Sequence, residues 1–276
     1  MKHRKSRRGR VLVPLCVLAV LAIAAIAVFS EELHIFPADV PIVPAQVQVT
    51  PAPSQDPFPD AKAEDQPPVQ ERFIGLAAQN PDTVGRLTFG PVKAQAVVQS
   101  DNSFYMNHGF DRKESKSGAL FLDERNKLWP MDQNMIIYGH NMRDGSMFGD
   151  MDEYRKPAYL KAHPLIAFST IYDAEDVIYV PIALFDASMA PDNKDYFKVR
   201  RPNFSDELEL NSWLEDARSR SLYDFGADAN AQDTFITLVT CSYSQDDGRF
   251  IMIGRRMRDG ETAEELSALT ANSAKR

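Results

Sequence analysis

The chain has 276 residues, enough for one good-sized domain or two small ones, and carries 31 Lys and Arg against 39 Asp and Glu. Residues 1–30 hold six of the basic residues and none of the acidic ones, so the remainder has a formal net charge of −14. This excess of negative charge argues against a nucleic-acid partner and against adhesion to an anionic lipid surface.

The N-terminal segment has the pattern of a membrane anchor. Six Lys and Arg precede Val11–Phe29, an uncharged apolar run of 19 residues. At about 1.5 Å per residue, this run spans about 28 Å as a helix, close to the hydrocarbon thickness of a bilayer. We therefore expect a cytoplasmic tail at 1–10, a single membrane span at 11–29 and an extracellular remainder. The alternative is a cleaved signal peptide, for which small Ala residues within the run supply a cleavage site.

A proline-rich stretch follows the apolar run. Pro37–Pro68 contains nine of the 18 prolines, a composition that disfavours helices and favours extended conformations. We interpret 30–68 as a semi-rigid stalk, with a disordered tail as the alternative. A folded domain is predicted over 69–260 and a C-terminal tail over 261–276. Within this tail, Thr262 and Glu265 have the spacing of a capping box.

Apolar periodicity predicts a mostly-β domain with inserted helices. Val69–Gln79 has helical spacing and stops at Asn80-Pro81. Ser205–Ser219 is a second predicted helix, which Ser205 is expected to cap. Its apolar stripe consists of Leu210, Trp213, Leu214 and Ala217. Seven predicted strands, rich in Val, Ile, Phe and Tyr, are Ala94–Val98, Ala119–Leu122, Met135–Tyr138, Leu165–Ser169, Val177–Phe185, Thr234–Cys241 and Phe250–Ile253. The pattern is typical of a β-barrel.

Cys241 is the only thiol outside the predicted membrane span, because Cys16 lies within it. A lone cysteine in an exported domain indicates either a reactive thiol or a buried, inert side chain. A reactive thiol needs an acid–base neighbour, since the thiolate is the nucleophile. Among five histidines, His140 stands where an apolar strand enters a polar, Gly-containing turn, a position that suits a cleft. A structural or surface role is the alternative for this histidine.

Arg249 follows Cys241 at a distance that suits a hairpin. Asp246-Asp247-Gly248 is a turn signal, and Arg249 opens the strand after it. Antiparallel pairing of the two strands brings Arg249 alongside Cys241, where a guanidinium can stabilise charge developing on a carbonyl oxygen. A solvent-facing arginine at a strand end is the alternative.

Motifs for cofactors and metals are missing from the sequence. It contains no Gly-rich phosphate loop and no Cys/His cluster with zinc spacing, so we expect neither a cofactor nor a metal. An acidic stretch after His140 is interpreted as a solvated turn and helix start rather than a cation site; it comprises Asp144, Asp150, Asp152 and Glu153.

Six short motifs resemble, in sequence order, those of the class B sortases, a family of cysteine transpeptidases. They are Asn80–Gly85, Asp101–Tyr105, Gly118–Asp123, Tyr138–Met142, Gly145–Phe148, and Thr237–Cys241 with Arg249 eight residues later. The resemblance covers about residues 70–258. It implies a closed sortase-type β-barrel of about eight strands, with N-terminal helices and a helix between strands six and seven.

The resemblance also implies an activity. A sortase cleaves a sorting motif near the C-terminus of an exported surface protein or pilin, through a thioacyl-enzyme. It joins the new carboxyl end to an amine of a peptidoglycan precursor or of a pilin lysine. The implied roles are nucleophile for Cys241, general acid and base for His140, and substrate holding and oxyanion stabilisation for Arg249. The implied substrate contacts are Asn102, Met106, Tyr196, Phe197, Val239 and Thr240.

Two departures from the family pattern leave the sorting motif open. Arg86 stands where many relatives have tryptophan, and Val239 where some class B enzymes have serine. Three other functions also stay open. A cysteine peptidase would resolve the thioacyl-enzyme with water. An L,D-transpeptidase is disfavoured, because Tyr243 stands two residues after Cys241, where those enzymes usually place an arginine. The third alternative is a catalytically silent surface-binding domain.

Overall fold

The computed structural model describes residues 66–241 and 248–276. Its strands are β1 (Thr83–Phe89), β2 (Val92–Gln99), β3 (Leu120–Leu122), β4 (Asn134–Tyr138), β5 (Ile166–Thr170), β6 (Ile178–Ser188), β7 (Tyr223–Asp224), β8 (Phe235–Cys241), β9 (Gly248–Arg256) and β10 (Ala274–Lys275). Its α-helices are α1 (Glu71–Gln79), α2 (Pro157–Ala162), α3 (Glu207–Arg220) and α4 (Ala263–Ala271). Two 3-10 segments are Phe104–Met106 and Gly149–Arg155.

The predicted span at 11–29, and the predicted stalk as far as residue 65, lie outside the described residues. In the part of the chain that is described, no helix combines the length and the apolar character needed to cross a membrane.

Eight strands close into a barrel in the order β1-β2-β3-β4-β8-β9-β6-β5, and β5 pairs with β1 to complete the ring. The pairs β2–β3 and β4–β8 are parallel, and the other pairs are antiparallel. The predicted closed barrel of eight strands is therefore confirmed. As expected, α3 lies between the sixth and seventh barrel strands, which are β6 and β8. Within the described residues, one helix, α1, precedes the barrel.

Strand β1 was not predicted, because Gly85 and Arg86 interrupt its apolar pattern. The structure gives a reason for the glycine. Gly85 lies opposite Thr170 of β5, and a Cβ at this position would clash with the carbonyl oxygen of Ser169. Gly85 thus allows the close backbone approach that closes the barrel.

Helix α3 covers one outer face of the barrel with the predicted apolar stripe. All four residues of this stripe are buried. The predicted capping residue was wrong: Asp206 caps the helix, and its Oδ1 accepts a hydrogen bond from Glu209 N at 2.8 Å. Ser205 lies one residue earlier, and its hydroxyl donates to Glu209 Oε2 at 3.0 Å.

The C-terminal residues are part of the fold. The predicted capping box of α4 is confirmed, since Thr262 and Glu265 exchange side-chain and backbone hydrogen bonds. Leu266 of this helix is buried in the apolar layer beneath α3. Strand β10 pairs with β7, and Lys275 Nζ donates to the carbonyl of Arg155 at 2.8 Å. Residues 261–276 therefore close over the side of the barrel.

Substitution of Glu261 by glutamine is expected to lower the free energy of unfolding by about 3–5 kcal/mol, because it leaves a buried guanidinium unpaired. The Arg255 side chain on β9 is 1% exposed, and its two terminal nitrogens each lie 2.7 Å from a Glu261 oxygen. Urea denaturation of the full chain measures the change. The exposed Glu264→Gln on α4 is the matched control, with an expected change within about 0.5 kcal/mol. Equal losses in the two variants would contradict the prediction.

The same ion pair makes stability depend on pH. The Arg255 guanidinium, above all by hydrogen bonding, holds the pKa of Glu261 below its ordinary value. A lowered pKa in the folded state stabilises the protein above the pKa of the unfolded state, about 4.3, and this contribution is lost as pH falls through the folded-state value. The stability difference between wild type and Glu261→Gln should therefore narrow below about pH 4. A difference that stays constant from pH 7 to pH 3 would contradict this explanation.

Candidate active site

Strands β4 and β8 end at the same edge of the barrel. They run parallel, with Tyr138 paired to Val239 at the last step of the ladder. The pairing extends one residue further, where Gly139 N donates to Val239 O at 3.2 Å. His140 and Cys241 each follow this last pair by two residues. Because parallel strands advance together, the two backbones emerge at the same end of the sheet.

Strand β9 brings Arg249 to the same edge. It pairs antiparallel with β8, and the final pair of this ladder is Cys241 with Arg249. The register that we predicted for this hairpin is confirmed. Arg249 Nη1 donates to the carbonyl of Gly248 at 2.9 Å. Since β8 lies between β4 and β9, the backbone of Cys241 lies between the strands that carry His140 and Arg249.

A cavity of about 120 Å³ lies at this edge of the barrel, lined by both His140 and Arg249. Four of the six predicted substrate contacts line it as well: Asn102, Met106, Val239 and Thr240. The structure adds five lining residues that sequence reasoning did not single out: Phe121, Tyr138, Gly139, Met189 and Arg200. Phe121, Tyr138 and Gly139 lay inside recognised motifs, which were the available signal for them.

Asp123 anchors one wall of the cavity from behind. Its carboxylate is fully buried and accepts hydrogen bonds from Tyr138 Oη at 2.8 Å and from Asn102 Nδ2 at 3.3 Å. Asn102 Oδ1 in turn accepts from Glu124 N at 2.9 Å. Burial, together with the Asp123 charge, raises the pKa of Tyr138, so its hydroxyl stays protonated near neutral pH. These hydrogen bonds hold two cavity-lining side chains, Tyr138 at the end of β4 and Asn102 in the segment after β2, against the same carboxylate.

Comparison with known proteins identifies the family. Residues 93–257, more than half of the chain, match the Sortase domain family. The chain belongs to the sortase family. Sortase B of Listeria monocytogenes is 30% identical over 194 residues, covering 68% of this chain and 74% of that protein. Sortase B of Staphylococcus aureus is 25% identical over 205 residues, covering 73% and 81%. The solved structure of sortase B from Bacillus anthracis has a TM-score of 0.60 and 26% identity, covering 69% of this chain and 86% of that one.

These relatives confirm the predicted class. The chain is similar to class B sortases along most of its folded part, in sequence and in structure. It is a class B sortase, and thus a cysteine transpeptidase of the cell surface.

Thr240 lines the cavity of this sortase, and its hydroxyl is buried. Thr240 is 2% exposed, and its Oγ1 finds no hydrogen-bond partner among the described residues. Val239 beside it is buried too. Most buried hydroxyls in proteins are hydrogen-bonded, so this one is an exception within the described part of the barrel.

The other two predicted substrate contacts do not line this cavity of the sortase. Tyr196 lines a separate groove of about 640 Å³ beside α3. Phe197 is 1% exposed and packs edge-on against Phe185 of β6, with Trp213 of α3 on another side. Phe197 is therefore a core residue in this structure, and the segment before α3 turns its apolar side chain inward.

Carboxylates of the acidic stretch after His140 make hydrogen bonds and an ion pair with residues nearby in the chain. Asp144 accepts from Ser146, Asp152 accepts from Asn141 Nδ2 at 2.9 Å, and Glu153 pairs with Lys156. Across residues 66–241 and 248–276, no group of three or more His, Cys, Asp or Glu side chains is arranged to hold a metal ion.

Proposed function

We propose that this sortase acts through Cys241 as the nucleophile, His140 as the general acid and base, and Arg249 as the group that stabilises the oxyanion. The observation that carries the proposal is the double register at one barrel edge. Cys241 pairs with Arg249 in the antiparallel ladder, and both Cys241 and His140 lie two residues beyond the last pair of the parallel one. Nucleophile, acid–base group and charge-stabilising cation are the three functions that acyl transfer needs.

In the first half-reaction, the Cys241 thiolate attacks the carbonyl carbon of the sorting motif's cleaved peptide bond. The new S–C bond forms, and the negative charge moves to the carbonyl oxygen, which the Arg249 guanidinium stabilises. The C–N bond then breaks. Protonated His140 gives its proton to the departing amine, leaving a thioacyl-enzyme and a neutral imidazole.

The second half-reaction reverses these roles. Neutral His140 takes a proton from the incoming amine as its nitrogen attacks the thioester carbon. An N–C bond forms, the C–S bond breaks, and Cys241 leaves as a thiolate. The protonated His140 and the thiolate are restored, so the cycle needs no cofactor.

The cavity supplies groups for holding an extended peptide. The anchored amide of Asn102 suits the polar atoms of a peptide backbone. Val239 and Met106 add apolar surface. The substrates proposed are exported surface proteins or pilins that carry a C-terminal sorting motif.

The predicted N-terminal segments suit this work. A single span at 11–29 would hold the enzyme in the cell membrane with its N-terminus in the cytoplasm. The proline-rich stalk at 30–68 would lift the catalytic domain toward the cell wall. The acceptor would be an amine of a peptidoglycan precursor or the lysine of a pilin.

The proposal is tested with the full chain in detergent and a panel of fluorogenic sorting peptides. Each peptide is incubated with and without an amine acceptor such as triglycine, and the products are identified by mass. We expect an amide-linked product that grows with acceptor concentration at the expense of the free acid. Free acid alone at every acceptor concentration would identify a peptidase instead. No cleavage of any peptide would overturn the proposal.

A further inference from the structure

His140 makes a hydrogen bond that fixes which of its nitrogens carries a proton. Its Nε2 lies 2.6 Å from the backbone carbonyl oxygen of Met106. A carbonyl oxygen only accepts hydrogen bonds, so Nε2 must donate. In the neutral imidazole, the free lone pair is then on Nδ1.

The Met106 carbonyl belongs to a short turn whose middle residue is firmly anchored. Tyr105 is 0% exposed, and its hydroxyl lies between two polar side chains at the start of the barrel. It donates to Asp82 Oδ2 at 2.6 Å and accepts from Asn80 Nδ2 at 2.9 Å. Burial, assisted by the hydrogen bond to Asp82, raises the pKa of Tyr105 to about 12, so the hydroxyl remains a donor at neutral pH.

The partners of Tyr105 are themselves fixed. Asn80 is fully buried and also donates to the carbonyl of Phe110 at 2.8 Å, while its Oδ1 accepts from Asp82 N at 2.9 Å. Asp82 further accepts from Arg112 Nη1 at 2.8 Å. Two of these hydrogen bonds hold the tyrosine hydroxyl directly, and the others fix the side chains that make them.

The other side of the turn is closed by Gly118. Its φ is +59°, and a Cβ at this position would clash with the Tyr105 carbonyl and approach the Met106 carbonyl to 2.9 Å. The next residue, Ala119, donates its N–H to the Tyr105 carbonyl at 3.0 Å. The Met106 carbonyl is thus confined between the Tyr105 anchor and the backbone that leads into β3.

We propose that Tyr105 is a positioning residue which, through the Met106 carbonyl, holds His140 as the Nε2–H tautomer and makes Nδ1 the atom that exchanges protons. This inference rests on the proposed function, in which His140 is the general acid and base. The protonated imidazole gives its Nδ1 proton to the departing amine and recovers one there from the incoming amine. The Nε2 proton stays with Met106 throughout.

Tyr105→Phe removes the anchoring hydroxyl and keeps the ring. The turn then loses both side-chain hydrogen bonds, the carbonyl moves relative to Nε2, and His140 populates both neutral tautomers. The share of neutral His140 whose Nδ1 can accept a proton falls, and that atom is less well placed for the incoming amine, so we expect kcat for formation of the amide product to drop about tenfold, with KM within about twofold. A general loss of folding would lower activity without changing the tautomer ratio of His140 in the molecules that remain folded.

Nitrogen-15 NMR of histidine reads the tautomer directly. The full chain in detergent is labelled at its histidines and measured near pH 8.5, where an ordinary imidazole is neutral. His140→Gln identifies the signals. Wild type should show His140 as a single Nε2–H form, and Tyr105→Phe a mixture. The matched control is Tyr223→Phe, which removes another buried hydroxyl that donates to the Tyr154 carbonyl at 2.9 Å. It should retain the wild-type spectrum and kcat.

The outcomes separate this inference from the proposed function. An Nδ1–H form, or an even mixture, in wild type overturns the inference. A folded Tyr105→Phe with an unchanged spectrum and an unchanged kcat overturns it as well. If this variant does not fold, Asp82→Ala removes the acceptor of the same hydroxyl and is measured in its place. A wild type that cleaves no peptide sinks the proposed function, while the NMR result still decides the tautomer.

Discussion

Replacement of Cys241 by alanine is expected to lower kcat/KM for sorting-peptide cleavage by at least about 10⁴-fold. Loss of the thiol removes the covalent route altogether, and neither His140 nor Arg249 supplies another nucleophile. The substitution is small and lies at the last residue of β8, so the fold should persist. Cleavage of the fluorogenic peptides measures the loss, and circular dichroism with thermal denaturation checks the fold.

The chain contains its own control for this experiment. Cys16, in the predicted membrane span, is the only other cysteine. Cys16→Ala should keep full activity and should still be inactivated by a thiol-alkylating reagent, whereas Cys241→Ala should be inert before the reagent is added. Substantial cleavage by a folded Cys241→Ala, or resistance of Cys16→Ala to alkylation, would refute the assignment of the nucleophile.

Removal of the Arg249 guanidinium should have the next largest effect. Arg249→Ala is expected to lower kcat by about 10²–10³-fold, the usual cost of losing one group that stabilises an oxyanion. The effect on KM should be smaller, because the negative charge on the carbonyl oxygen develops after substrate binds. Arg249→Lys keeps the charge but not the planar fork of donors, so an intermediate loss is expected. Steady-state kinetics with one peptide and one amine separate kcat from KM.

Arg256→Ala provides the matched comparison, because it removes an arginine from the far end of the same strand. Its kcat should lie within about twofold of wild type. If Arg249→Ala raised KM alone and left kcat intact, Arg249 would hold the substrate without stabilising the transition state. Equal losses in the two variants would indicate a general effect of β9 on folding.

The strand ends of the candidate site could be predicted because their signals are local. Apolar runs define β4, β8 and β9, and the sequence signal for a turn at Asp246-Asp247-Gly248 predicted the antiparallel partner of Cys241. The position of His140 after an apolar run indicated a cleft in the same way. Each inference needed only a few neighbouring residues, and the register of the ladders then brought the three backbones together.

Other features depend on contacts between distant segments. Strand β1 has a weak pattern of its own, and it forms because Gly85 lets β5 approach closely. The hydroxyl of Tyr105 meets Asn80 across 25 residues, and no spacing rule marks that pair. Phe197 followed from family resemblance alone, whereas its burial depends on how α3 packs against β6. These contacts arise from the assembled barrel and leave little trace in any single segment.

The ladder between β8 and β9 also fixes the spacing between the backbones of two residues that we propose act in catalysis. Seven consecutive register pairs, from Phe235–Arg255 to Cys241–Arg249, fix the two strands over their whole shared length. This ladder is therefore sufficient to align the backbone of Cys241 with that of Arg249.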